Sequence, residues 1–299
     1  MTSTAWKTRV AVPARRPGPG RGAIVVGLLA ALGLVALWAL ELSPAGLVPL
    51  AGGRAIAADF FSAAWQPATE YEGTAGIDGS FLLEILSALY RTVIFAAAAM
   101  SLALVAGTVL GFLASSTWWA GDPALLGSPL RRFFQSWLGP LVQGATRILI
   151  VGQRSVHELL WALLFLAAFG LNTASAVVAI AIPFTGMLAK VFSELLDETD
   201  PESAHSLRAV GASPIKAFLF GTLPRALPDM SAYAFYRLEC AVRSSAILGF
   251  FGYPTIGYSI RLSFENLHYR EVWSYLWALI ILVLCFEAWS AALRRRFVA

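Results

Sequence analysis

Long apolar runs alternate with short polar ones along most of this chain, and the lengths of the runs say what they are. Ala23 to Leu42 is apolar for about twenty residues, enough to cross a bilayer as one helix. Ile85 to Ser115 is longer and predicts a second, tilted span. Phe133 to Val151 is broken by Gly139-Pro140, Gly144 and Arg147, and reads as an interfacial or partly re-entrant helix. His157 to Leu171 predicts a short third span and Thr173 to Leu196 a fourth, with Pro183 and Gly186 inside it. Leu227 to Phe251 and Val272 to Leu293 give the fifth and sixth, joined through 252–271.

Between the fourth and fifth runs lies a polar island, Thr199 to Pro224. Asp200-Pro201 is a helix-start signal, a capping side chain followed by proline where no N–H is needed. Ala204, Leu207 and Val210 recur on one face, and Gly211 supplies a left-handed stop. Ser213-Pro214 repeats the start signal for a second helix, which Leu223-Pro224 would close. A first helix of about ten residues covers only ~15 Å, too short to span a membrane. The island therefore predicts a compact helix–turn–helix knob beside the membrane.

Charge orients this pattern. Residues 1–22 carry Lys7, Arg9, Arg15, Arg16 and Arg21 with no acid, and their Pro and Gly content predicts a disordered basic tail. The stretch from Ser43 to Glu84 has Arg54 as its only basic residue. Basic residues favour the cytoplasmic side, so the tail, Arg131-Arg132, the knob and Arg294-Arg295-Arg296 are expected inside, with both termini, and 45–79 outside. A cleaved leader fits poorly, because the first run is too long and Glu41-Leu42-Ser43 is a poor cleavage site. With 58% hydrophobic and 13% charged residues, the chain is a polytopic membrane protein rather than a soluble domain on one anchor. The net charge of +4 sits at ends and loops, which gives no reason to expect nucleic acid. Cys240 and Cys285 both lie in apolar runs and read as buried small hydrophobes.

Ionisable residues inside spans are rare because each is costly there. The fifth run holds Arg237, Glu239 and Arg243. Glu239 and Arg243 stand four apart in the favourable order for an ion pair, which leaves Arg237 unmatched on its own helix. Two roles are open: a structural pair facing other helices, or the lining of an anion pathway to which Ser244 and Ser245 add hydroxyls. Gly249, Gly252 and Gly257 mark a break, either for close packing or for a re-entrant turn. His157, His205 and His268 show no metal-ligand spacing, and no G-x-x-x-x-G-K-[ST] phosphate loop, G-x-S-x-G elbow or H-E-x-x-H helix is present.

The spacing of Gly211, Leu223 and Pro224 resembles the cytoplasmic "EAA" coupling loop of ABC-importer permeases. RAVGAS (208–213), GTLP (221–224), YRLECAVRSSAILG (236–249) and HELLWALLF (157–165) are most similar to permeases of phosphonate-type uptake systems. His205 stands where that family usually has Glu, and Tyr253-Pro254-Thr255 replaces a small Gly-rich run. The resemblance covers roughly residues 86–297. It implies an all-α polytopic fold of about six spans, with 199–224 as the coupling loop of a permease core at 85–297. In that loop Glu202, His205, Leu207, Arg208, Gly211, Leu223 and Pro224 would meet an ATPase. It also implies import of phosphonate, phosphite or hypophosphite across a bacterial cytoplasmic membrane. A second permease copy or a paralogue, two ATPase subunits and an extracytoplasmic binding protein are the implied partners, with membrane lipid around them. ATP and Mg²⁺ would sit on the ATPase, leaving this chain no cofactor and no catalytic residue. An integral-membrane enzyme acting on phosphorylated lipids and a secondary anion carrier are the rival readings. Neither gives the knob a role.

Overall fold

In the computed structural model, residues 21–41, 46, 50–72, 80–119 and 137–297 are described. Of the basic tail (1–22), Arg21 and Gly22 already belong to the first helix, and residues 1–20 lie outside the described residues, as do Arg131-Arg132. The chain divides into two compact units, residues 1–58 and 59–299. In the first, α1 (Arg21–Ala39) is a continuous apolar helix, as the first hydrophobic run predicts. It is followed by the start of α2 (Ala51–Ala63).

The second unit is built on α3 (Phe81–Ala114), which is followed by the short α4 (Ser116–Trp119), α5 (Gly139–Ser155) and α6 (Glu158–Phe169). Then come α7 (Thr173–Glu198), α8 (Glu202–Ala209) and α9 (Pro214–Ala217). The last three are α10 (Leu223–Leu248), α11 (Ile256–Glu265) and α12 (Tyr269–Phe297). Helices α3 and α7 form the central pair. The buried stripe on α3 runs through Ala96, Ala99, Ala103, Gly107 and Gly111, at three- and four-residue steps. A Cβ on Gly107 would lie 2.8 Å from Cβ of Leu188, so these small residues are what let the two helices touch.

Four helices of the described residues are long and apolar enough to cross a membrane: α1, α3, α7 and α12. The expected short third span is corrected. Helix α6 has 12 residues, about 18 Å, and cannot span alone. It joins α5 at an 89° bend, and only together are the two long and apolar enough to count as a broken span or a re-entrant loop. Helix α10 has 26 residues, about 39 Å, so its length suffices. Its charged residues keep it out of the apolar class.

Two elements have no counterpart in the hydrophobic pattern. Helix α2 lies in the mixed stretch before Glu84, and α11 lies within 252–271. The chain from Phe60 to Glu72 is stitched along the start of α12. Trp273 Nε1 donates to the Phe60 carbonyl (2.6 Å), Ser274 Oγ to that of Ala68 (2.7 Å), and the Glu72 N–H to Glu271 Oε1 (2.6 Å). After α10, Gly249 and Gly257 let two backbones cross. A Cβ on either would overlap main-chain atoms, of Tyr258 and Gly257 in one case and Ala246 in the other. Close packing is thus what this break contains.

Candidate functional site

The knob is assembled by caps. Asp200 Oδ1 accepts the Glu202 N–H (3.0 Å), and its Oδ2 pairs with Arg225 Nη1 at 3.4 Å, which ties the start of α8 to the first turn of α10. At the other end Gly211 has φ +90°. Its N–H donates to the Arg208 carbonyl (2.9 Å), and the Ala212 N–H reaches back to that of Leu207 (3.0 Å). That is the paired hydrogen bonding of a Schellman stop, for which glycine has no Cβ penalty. The Ser213 hydroxyl accepts from the Lys216 N–H at 3.4 Å and starts α9.

Two expectations for the knob are corrected. Val210 does not join the inner face of Ala204 and Leu207; it is 82% exposed, because the chain has already left the helix. Leu223-Pro224 does not close the second helix. Phe218–Thr222 forms a π turn that carries α9 straight into α10, and Pro224 sits in the first turn of α10. The two arms of the knob cross at Ala204 and Gly221, where a Cβ on Gly221 would come within 2.9 Å of the Ala204 backbone. Phe218 meets Phe112 of α3 edge-on at 4.8 Å. Glu202, His205, Val210 and Phe220 stay exposed on the outside.

The charged face of α10 lies beyond the knob along the same helix. Arg243 Nη2 donates to Glu239 Oε1 at 2.9 Å; the carboxylate side chain is 10% exposed and the arginine 52%. One edge of the guanidinium is thus engaged while much of it stays open. Arg237 is matched after all, by aromatics: its Nε donates to the Tyr233 hydroxyl (2.7 Å), and the guanidinium lies over the Tyr233 and Tyr236 rings. Ser244 and Ser245 diverge. Ser245 is fully buried and donates to the Thr92 carbonyl of α3 (2.6 Å). Ser244 donates to Glu158 Oε1 (3.0 Å) on α6.

Glu158 was not among the residues singled out from sequence. The signal was present, since it is an acid opening an apolar run in HELLWALLF. Its neighbour His157 accepts the Leu159 N–H through Nδ1 (3.3 Å) and so caps α6. The Arg243 region therefore has two largely buried carboxylates around it, Glu239 and Glu158. Cys240 is half-buried near Arg243, whereas Cys285 is exposed on α12, a correction to its expected burial. Among the described residues no group of His, Cys, Asp and Glu is arranged to hold a metal. A separate cavity of about 510 Å³ is lined by Glu84, Glu271, His268 and three tyrosines. Its carboxylates disfavour an anion there.

Residues 124–298 match the family described as "binding-protein-dependent transport system inner membrane component". The chain belongs to this family. Family membership makes it a membrane permease component rather than an enzyme. The permease is 34% identical over 158 residues to the phosphite transport system permease protein PtxC of Stutzerimonas stutzeri, covering 53% of this chain and 58% of that one. It is 30% identical over 156 residues to the phosphate-import permease protein PhnE of Mycolicibacterium smegmatis, covering 52% and 29%. It spans little more than half the length of the first of these and less of the second. Among solved structures, the inward-facing MetNI methionine ABC transporter aligns with a TM-score of 0.59 at 18% identity, over 72% of this chain and 97% of that one. An amino acid ABC transporter crystallised with histidines aligns at 0.57 and 16% identity, over 72% and 95%. At these identities the likeness is one of fold.

Proposed function

We propose that this permease is the transmembrane subunit of an ABC importer for phosphonate or a related reduced-phosphorus oxyanion, phosphite or hypophosphite. The observation that carries the reading is the knob. It is capped at both ends, crossed at Ala204–Gly221 and continuous with α10, the helix bearing the half-exposed Arg243. An ATPase seated against Glu202, His205, Leu207, Arg208 and Gly211 would move α10 through Leu223 and Pro224. The name of the phosphite permease that the chain resembles supports the reduced-phosphorus class, and that of the phosphate-import permease only the wider class of phosphorus oxyanions. The knob and both termini lie in the cytoplasm in this reading, and 45–79 faces the binding protein. A second permease copy completes the pathway.

Arg237, Glu239, Arg243 and Ser244 line that pathway, with Glu158 beside them. Ser245 holds the lining helix against α3. Glu239 partly neutralises Arg243, so an oxyanion meets a weak, transient donor rather than a trap. Alternating access in this reading includes a tilt of α10. ATP and Mg²⁺ belong to the partner subunit. Co-expression with an ABC ATPase and a binding protein of the phosphonate-uptake type tests the reading. The permease should co-purify with the ATPase, and proteoliposomes should take up labelled phosphite or methylphosphonate on ATP addition. A chain that purifies alone and carries the anion without ATP would be a secondary carrier instead.

A further inference from the structure

At the base of the knob, Asp197 in the last turn of α7 gathers donors from Ser115, which caps the end of α3, and from the start of α4. Its Oδ1 accepts the Ser115 hydroxyl (2.6 Å), the Ser116 N–H (2.8 Å), the Thr117 N–H (3.1 Å) and the Thr117 hydroxyl (3.1 Å). Its Oδ2 lies 3.9 Å from Arg147 Nη2 of α5. Arg147 Nε and Gln143 Nε2 both donate to the Ala114 carbonyl, each at 3.1 Å, so the C-terminus of α3 is held from two sides. Three residues after Asp197, Asp200 begins the knob.

The packing elsewhere along the α3–α7 pair gives this junction its meaning. Ala103, Gly107 and Gly111 form a small-residue seam along which the two helices touch through apolar contact alone. The polar junction at Asp197 is directional, because its bonds fail when α3 and α7 shift along each other. Farther up α3, Thr92 accepts the Ser245 hydroxyl through its carbonyl and the Ile256 N–H (3.0 Å) through its own hydroxyl. A continuous chain of contacts thus leads from knob to Asp197, along α3, to the residues beside Arg243.

We propose that Asp197 is a positioning residue for coupled transport: it locks α3 to the knob-bearing end of α7, so that α3 follows the knob through directional hydrogen bonds and not only through the apolar Phe218–Phe112 contact. This rests on the importer reading. The test uses the complete importer, permease with its ATPase and binding protein, in proteoliposomes, with phosphite or methylphosphonate as the probe. Anion imported per ATP hydrolysed is compared for wild type, Asp197→Asn and Ser115→Ala. Asp197→Asn keeps the shape but not the charge that strengthens these bonds. The complex should assemble and hydrolyse ATP within about twofold of wild type, while import per ATP falls about tenfold. Ser115→Ala, which removes one donor, should lower the ratio about two- to threefold. If Asp197→Asn does not assemble, Ser115→Ala decides by the same ratio. Uptake and hydrolysis falling in parallel, or an unchanged ratio, would overturn the lock and leave Asp197 a helix cap. A wild-type chain that binds no ATPase would remove the importer reading itself, and the inference with it.

Discussion

Glu239 and Arg243 are one turn apart on α10, yet the acid is nearly buried and the arginine half exposed. That asymmetry decides what the pair can do: the carboxylate is fixed by the protein, and the guanidinium keeps donors to spend elsewhere. Arg243→Ala should slow uptake of every accepted oxyanion by a similar factor, about tenfold for one charge-assisted contact, and leave their ranking unchanged. Arg243→Lys should recover part of the rate, since charge survives and the planar fork does not. Competition uptake with phosphite, hypophosphite and methylphosphonate checks both. A changed ranking would mean that the permease itself selects. The ion pair was legible from sequence because a spacing of four closes on one helical face. The fates of Ser244 and Ser245 were not. Adjacent residues on a helix point about 100° apart. Which one meets α3 and which α6 depends on where those helices stand.

Gly211 and Pro224 show how far sequence signals reach at the scale of elements. Glycine after a short amphipathic run has one economical use, a left-handed stop, and the structure makes that use of it. Leu-Pro is two-sided: proline ends the helix before it or opens the one after it. The π turn at Phe218–Thr222 decides between the two, and it leaves no compositional trace. Helix α2 was similarly hidden, since AGGRAIAADFFSA has paired glycines and a weak apolar period. The Ala204–Gly221 crossing yields a prediction. Gly221→Val should force α8 off the π turn and lower retention of the ATPase on a permease affinity column by more than about fivefold. His205→Ala, an exposed truncation, should change it by no more than about twofold. Equal losses in the two variants would show that surface contact at His205, not the shape of the knob, holds the ATPase.

Orientation belongs to the whole molecule and follows from where the arginines fall. With Cys240 and Cys285 replaced by serine, a cysteine at exposed Thr69 should react with a membrane-impermeant maleimide in intact cells. One at exposed Glu202 should react only after the membrane is opened. The reverse pattern would invert the topology. The backbone crossing at Gly249 and Gly257 has a consequence for movement on this scale. With no side chains between the two backbones at this crossing, the Gly249 end of α10 would act as a fulcrum in the importer reading. Pro224 lies about 37 Å from that point along the helix and Arg243 about 9 Å, from the rise per residue. A stroke applied at the knob would then be geared down to about a quarter of its size at Arg243. Spin labels at Leu227 on two assembled copies should shift several times farther between nucleotide states than labels at Ile247. Equal shifts would mean that the helix slides as a rod. A reduction gear of this kind would let a large motion of the knob meter a small adjustment at Arg243.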